Sequence, residues 1–155
     1  MDMKLRLSEA AALLGVAYAG PDAEAKRVVT DSRILRPGDL FVALRGERFD
    51  GSAFAAQALR EGAAGVVLDA AQAPEVAHAI RVDDTRLALG RLAAAWRRRF
   101  AIPVVAVTGS NGKTTVKEML AAILQAEAGA ADAVLATEGN LNNDIGVPLM
   151  LLRLR

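Results

Sequence analysis

Apolar positions in this chain fall into two patterns that alternate along its length. One is short runs of consecutive aliphatic residues; the other is Ala- and Leu-rich stretches in which apolar residues recur every three or four places. The runs 28–30 (VVT), 40–44 (LFVAL), 65–68 (GVVL), 79–82 (AIRV), 104–107 (VVAV) and 134–136 (VLA) predict strands. The most uniformly apolar of them suit a parallel sheet covered on both faces. The recurring pattern predicts helices. The first is capped by Ser8, carries Ala11, Ala12 and Leu14 and ends at Gly15; the second covers 54–62 and ends at Gly62. A third runs over about 85–100 with Leu89, Leu92, Ala93, Trp96 and Phe100 on its core face. A fourth runs over about 115–127 with Val116, Leu120, Ile123 and Leu124 inward and Lys117, Glu118 and Gln125 outward. A last amphipathic helix follows the turn Ile145-Gly146-Val147-Pro148.

Helix followed by strand, repeated, predicts a layered α/β fold. The run 104–107, the helix after it and the run 134–136 predict a parallel, right-handed crossover. Asp83-Asp84-Thr85 interrupts the apolar pattern and suits the cap of the next helix, which puts a division near Val82. Residues 1–82 then form a small amino-terminal α/β domain, and residues 83–155 begin a second domain with a phosphate loop on a parallel sheet.

The 155 residues allow one ordinary domain or two small ones, burying roughly 70% of the unfolded surface. Nineteen Lys and Arg stand against 18 Asp and Glu, for a formal net charge of +1, with the signs mixed. No basic face marks a nucleic-acid partner, so any recognition of phosphate must be local. The absence of cysteine excludes disulfides, thiolate zinc sites and a cysteine nucleophile, and fits a reducing compartment. No apolar run approaches the span of a bilayer, and the opening MDMKLRLSEAAALLG carries Asp2 and Glu9 and is too short in its apolar part for a signal peptide. A cytoplasmic location without membrane insertion is expected.

The chemistry concentrates at 104–117, VVAVTGSNGKTTVK. Gly109 and Gly112 let the backbone turn tightly so that successive N–H groups point at an anion. Lys113 follows at the start of a helix, where its ammonium and the helix dipole both favour phosphate. Thr114 offers a hydroxyl of the kind that binds the magnesium of a nucleoside triphosphate. The spacing departs from the pattern GxxxxGK[ST], because Val107 stands where the first glycine would be.

Other polar groups are less specific. Asp31-Ser32-Arg33 lies between the strands 28–30 and 40–44, and Asp31 and Ser32 suit loop capping as well as a ligand. His78, the only histidine, reads as a surface residue. Arg97, Arg98 and Arg99 end the third helix, where the dipole alone favours cations. Asn140, Asn142 and Asn143 offer donors and acceptors without charge, and taken alone they form turns as readily as contacts.

Three motifs together carry a family resemblance: TGSNGKTT at 108–115; TDSR, PGDLFVAL, Gly46 and Asp50-Gly51 in the amino-terminal half; and TEGNLNNDIGVP at 137–148. The sequence resembles the Mur ligases, which build the peptide stem of the bacterial cell wall, over nearly its whole length. The resemblance implies ATP and magnesium as cofactors. Gly109, Ser110, Asn111 and Gly112 line the cradle, Lys113 holds the β- and γ-phosphates, Thr114 ligates magnesium and Thr115 adds a hydrogen bond. It implies that Ser32 and Arg33 lie near a uridine nucleotide and that Asn140, Asn142 and Asn143 help place the rest of a UDP-sugar. The implied reaction joins D-alanyl-D-alanine to UDP-N-acetylmuramoyl-tripeptide through an acyl phosphate. The sequence departs from the family at Ser52, where a histidine commonly follows the Asp-Gly pair. Against the family's length, the chain reads as the amino-terminal domain and the opening of the ATPase domain, without ligase activity alone. A nucleotide-binding module without catalysis, a small-substrate kinase and another ligase of the same type are the alternatives.

Overall fold

The computed structural model describes residues 2–46, 49–71, 75–139 and 141–155, with Phe49 described in its backbone only. Its centre is a four-stranded, wholly parallel sheet. A two-stranded antiparallel ribbon, β1 (Leu5–Arg6) and β2 (Glu24–Ala25), flanks helix α1 (Leu7–Leu14) in sequence. Strands β3 (Arg27–Val29) and β4 (Asp39–Val42) follow, and a short hairpin of β5 (Arg45–Gly46) and β6 (Phe49–Asp50) leads to α2 (Ala55–Arg60). Strands β7 (Gly65–Asp69) and β8 (Ala79–Val82) complete the sheet in the order β3-β4-β7-β8. Helices α3 (Thr85–Arg97), α4 (Lys113–Ala128) and α5 (Gly146–Leu151) make up the rest.

The period of two along each strand divides the core between two faces. Leu40, Val42, Val67, Ile80 and Val82 face a cluster that includes Leu7, Ala10 and Leu14 of α1 and Leu89, Leu92 and Trp96 of α3. Phe41, Val66 and Leu68 face the other way, onto Ala55 and Ala58 of α2. The sheet is thus sandwiched, as its apolar runs predict. Register sets Leu40 beside Val28 and Gly65, and Val67 beside Ile80. Helix α3 and the carboxyl-terminal segment share the first cluster: Leu152 and Leu154 are buried in it, and the Trp96 indole N–H donates to the Leu154 carbonyl at 3.1 Å.

Several local expectations hold. Gly15 closes α1 in the left-handed conformation, and Asp84 caps α3 by accepting from the amides of Arg86 and Leu87, each at 2.8 Å. Helix α3 ends at Arg97, whose side chain reaches forward to donate to the carbonyls of Phe100 and Ile102, at 2.7 and 2.9 Å. Arg99 lies over the Trp96 ring, 4.7 Å from its centroid, and pairs with Glu9. Two of the three arginines therefore have structural partners. His78 is half-buried with positive φ (57°), and its Nδ1 is buried without a hydrogen bond, which differs from a free surface residue.

Other expectations are corrected. Ser8 does not cap α1 with its hydroxyl; its amide donates to Asp22 Oδ1 at 3.0 Å, while Arg6 binds Asp22 Oδ2 at 2.9 Å. A carboxylate answers the exposed amide and the positive end of the helix more strongly than a hydroxyl does. The runs 104–107 and 134–136 are not strands. No strand lies beside either among the described residues, and without a neighbouring ladder a β-branched run has nothing to pair with. The crossover expected around the phosphate loop is therefore not formed. For the same reason the apolar face of α4 is uncovered: Val116, Ile123 and Leu124 are exposed, and Ala121 is the buried residue of that helix.

Candidate functional site

Two features gather the polar chemistry. The first is the start of α4. Gly112 has φ +76°, a left-handed conformation that turns the loop into the helix, and no side chain caps the helix there. The first intrahelical bond runs from the Val116 amide to the Gly112 carbonyl at 2.9 Å, so the amides of Lys113, Thr114 and Thr115 have no partner within the helix. The Lys113 ammonium folds back to donate to the Gly109 carbonyl at 2.5 Å. Ser110, Asn111, Thr114 and Thr115 are exposed around this turn, and a Cβ at Gly112 would meet no atom within 4 Å. Open amides, a cation and three hydroxyls around the positive end of a sixteen-residue helix fit a polyphosphate.

The second feature is one edge of the sheet. Because β3, β4, β7 and β8 are parallel, the segments after each of them emerge together, which is where open α/β sheets bind ligands. Ser32 and Arg33 follow β3 in a 3-10 turn. Asp31 caps this turn, accepting from the Arg33 amide at 2.9 Å and from its guanidinium at 2.6, 2.9 and 3.2 Å. The Arg33 side chain, then its amide, hold the Asp31 carboxyl well below its ordinary value, at about 2. Arg33 is thus ion-paired while remaining 86% exposed. After β4 and the hairpin, Asp50 accepts from the Ser52 amide at 2.9 Å, and the Ser52 side chain, then that amide, lower the Asp50 pKa. Ser52 is buried and its amide is taken up by Asp50, so this position serves the turn.

Beyond β7 and β8 lies a cleft of about 260 Å³ lined by Arg45, Asp69, Asp83, Asp84, Thr85 and Arg86. The Arg86 guanidinium binds Asp144, Nε to Oδ2 at 2.5 Å and Nη2 to Oδ1 at 3.2 Å. That pair brings the asparagine-bearing stretch to the edge of the amino-terminal sheet. Asn143 Oδ1 accepts from the amides of Ile145 and Gly146, at 3.2 and 2.7 Å, so Asn143 caps α5 and keeps its NH2 group as donor. Gly146 is required by close approach: a Cβ there would lie 2.5 Å from the Cα of Leu141. Asn142 is exposed, and Asn140 lies outside the described residues.

Sequence pattern alone missed two contacts. The Arg86–Asp144 pair spans 58 positions, and no local signal marks it. Lys117, expected on the outer face of α4, is only 18% exposed; its ammonium pairs with Glu118 at 2.7 Å and donates to the Thr137 carbonyl. The adjacent Glu138 is paired with Arg153 at 2.8 Å, and that hydrogen bond lowers its pKa.

Comparison with known proteins agrees with this layout. Residues 24–97 match the family described as "Mur ligase family, catalytic domain", and residues 107–155 match "Mur ligase middle domain". The chain is 49% identical over 152 residues to the UDP-N-acetylmuramoyl-tripeptide--D-alanyl-D-alanine ligase of Escherichia coli (strain K12), covering 98% of this chain and 32% of that protein. It is 44% identical over 153 residues to the ligase of the same name from Haemophilus influenzae, covering 98% of this chain and 34% of that protein. Among solved structures, MurF from Acinetobacter baumannii superposes with a TM-score of 0.82 at 41% identity, over 99% of this chain and 34% of that one. MurF ligase from Thermotoga maritima, in complex with ADP, does so with a TM-score of 0.69 at 35% identity, over 83% of this chain and 29% of that one. The chain spans about a third of the length of the curated relatives it matches. Two Mur ligase domains in chain order, one over the parallel sheet and one beginning at the phosphate loop, establish that this chain belongs to the Mur ligase family.

Proposed function

We propose that this chain is part of an ATP-dependent ligase that adds D-alanyl-D-alanine to UDP-N-acetylmuramoyl-tripeptide in peptidoglycan synthesis, working in the cytoplasm. The observation that carries the reading is 44–49% identity, over nearly the whole chain, to ligases of that name. Residues 1–82 serve the UDP-sugar and residues 83–155 begin the ATP-handling domain.

The reaction needs a carboxylate made electrophilic. An oxygen of the tripeptide carboxylate attacks the γ-phosphorus of ATP, the bond from that phosphorus to the β–γ bridging oxygen breaks, and ADP leaves. The amine of D-alanyl-D-alanine then attacks the acyl carbon, loses a proton and expels inorganic phosphate. For the first step the protein must hold the phosphates in line and offset their charge. The amides of Ser110 to Lys113 and the Thr115 hydroxyl cradle the phosphates, and the Lys113 ammonium exchanges the Gly109 carbonyl for phosphate oxygen. Magnesium would neutralise charge on the phosphates, held by the Thr114 hydroxyl together with the nucleotide's own oxygens. Ser32 supplies a neutral hydrogen bond and Arg33 a cation toward the uridine diphosphate, while Asn140, Asn142 and Asn143 serve the remainder of the UDP-sugar.

The test is a hybrid ligase in which this sequence replaces the aligned 152 residues of the Escherichia coli relative. Incubated with ATP, magnesium, D-alanyl-D-alanine and UDP-N-acetylmuramoyl-tripeptide, it is expected to form the pentapeptide product, read by mass spectrometry. A folded hybrid that turns over a different amine or a shorter stem peptide, and not this pair, overturns the assignment.

A further inference from the structure

The asparagine-bearing stretch in the connection from α4 to α5 is gripped by cations from different helices at Thr137 and at Asp144. At Thr137, where that stretch begins, the partner is Lys117, one turn along α4 from Lys113 and therefore on the same face of the helix that opens at the phosphate loop. Its side chain is largely covered, and its ammonium donates to the Thr137 carbonyl. At its end, Arg86 in the first turn of α3 forks onto both oxygens of Asp144. Between the grips, the Leu141 amide donates to the Glu138 carbonyl at 3.1 Å, and Asn143 is fixed by the amides of Ile145 and Gly146. An asparagine amide carries no net charge to draw it to a ligand from a distance, so its usefulness depends on where the backbone holds it. The two cations set that backbone, one relative to the phosphate loop and the other relative to the edge of the parallel sheet.

We propose that Lys117 and Arg86 are positioning residues that clamp the asparagine-bearing stretch between the phosphate-loop helix and the amino-terminal sheet, and so hold Asn142 and Asn143 for the sugar nucleotide. The proposal rests on the reading of those asparagines as UDP-sugar contacts. It separates the two ligands: losing the Lys117 grip disturbs the sugar nucleotide while the cradle at Gly109 to Thr115 keeps its own geometry. Lys117→Met retains the length and packing of the stem and removes the donor. Lys117→Arg keeps a cationic donor on a long stem, and Arg86→Met releases the other end.

The experiment uses the 155-residue chain and its variants, with three readouts. Calorimetry with UDP-N-acetylmuramoyl-tripeptide is expected to give affinity roughly tenfold weaker for Lys117→Met, with a non-hydrolysable ATP analogue changed by less than about twofold, as loss of one charge-assisted hydrogen bond predicts. Lys117→Arg is expected to restore most of the loss. The side-chain NH2 resonances of Asn142 and Asn143 should move on ligand addition in the parent chain and less in Lys117→Met. Hydrogen exchange at the amides of Leu141, Ile145 and Gly146 should quicken in both Lys117→Met and Arg86→Met. Equal weakening of both ligands would place Lys117 in service of the phosphate loop and overturn the proposal. If the parent chain takes no sugar nucleotide, the ligand reading fails by itself; the clamp then stands on faster exchange at those three amides and falls if exchange is unchanged.

Discussion

The Lys113 ammonium donates to the Gly109 carbonyl at 2.5 Å, closing the phosphate loop that runs from Gly109 into the start of α4. A cation satisfied by its own loop can exchange that carbonyl for a phosphate oxygen with little rearrangement. Lys113→Ala is expected to weaken binding of a non-hydrolysable ATP analogue roughly ten- to one-hundred-and-fifty-fold, the worth of one charge-assisted hydrogen bond. Lys113→Arg should not rescue it, because a planar fork does not replace a compact ammonium in so tight a turn. Calorimetric titration decides the matter, and unchanged affinity in the alanine variant would remove the phosphate role from Lys113.

Asp31 gives a pH-dependent readout of the loop at the end of β3. Its folded pKa lies at about 2 against an ordinary 3.8, lowered first by the Arg33 side chain and then by the Arg33 amide. A depressed acid stabilises the fold above its unfolded pKa and loses that contribution as pH falls through the folded one. The window therefore runs from pH 3.8 down to about 2. Both side chains are solvent-accessible, so the contribution is small and falls with salt. Carbon-detected NMR titration of the Asp31 carboxyl is expected to find its midpoint near 2, and a uridine diphosphate that draws Arg33 away should raise it. A midpoint at the ordinary carboxylate value, with or without ligand, would mean that Arg33 does not hold Asp31 in solution.

The amino-terminal sheet was legible because its elements answer to local pattern. The run at 40–44 is apolar throughout because both faces of β4 are covered, and Asp84 caps α3 as its place before the periodic stretch suggests. The phosphate loop was legible for a similar reason, since Gly112 and Lys113 act within a few residues of each other. The runs 104–107 and 134–136 misled because β propensity records fitness for a sheet and supplies no partner strand. Arg86, Asp144 and Lys117 were illegible as a group because their contacts cross 58 and 20 positions, where periodicity carries no information. Ser8 was misread because its competitor for the helix end, Asp22, comes from another segment.

Arg27 and Asp39 are cross-strand partners in β3 and β4, and Asp39 is 2% exposed. It accepts from Arg27 at 3.1 and 2.6 Å and from the Arg36 amide at 2.8 Å. Asp39→Ala would leave the half-buried guanidinium and that amide without their acceptor, and is expected to cost about 3 kcal/mol, the lower end for breaking a buried pair. Asp39→Asn, which keeps one acceptor oxygen, should cost less. In urea unfolding the midpoint should drop with the slope unchanged. A loss below about 1 kcal/mol for Asp39→Ala would reduce the pair to an ordinary surface contact.

The uncovered face of α4 predicts behaviour that the buried sheet does not share. Met119 and Ile123 are 59% and 62% exposed and belong to neither core cluster, and Val104 and Val105 on the preceding segment are exposed to a similar degree. Exposed apolar side chains on a helix and on the segment before it favour association. The purified chain is expected to self-associate with rising concentration in sedimentation velocity. The double substitution Met119→Glu with Ile123→Lys, which places an acid four residues before a base on the helix, should shift it toward monomer. Because neither side chain touches the core, the main thermal transition of the sheet should stay within about 2 °C of the parent, as for surface changes worth less than about 0.5 kcal/mol. A large fall in that transition would mean that α4 packs on the sheet in solution and that its apolar face is not free.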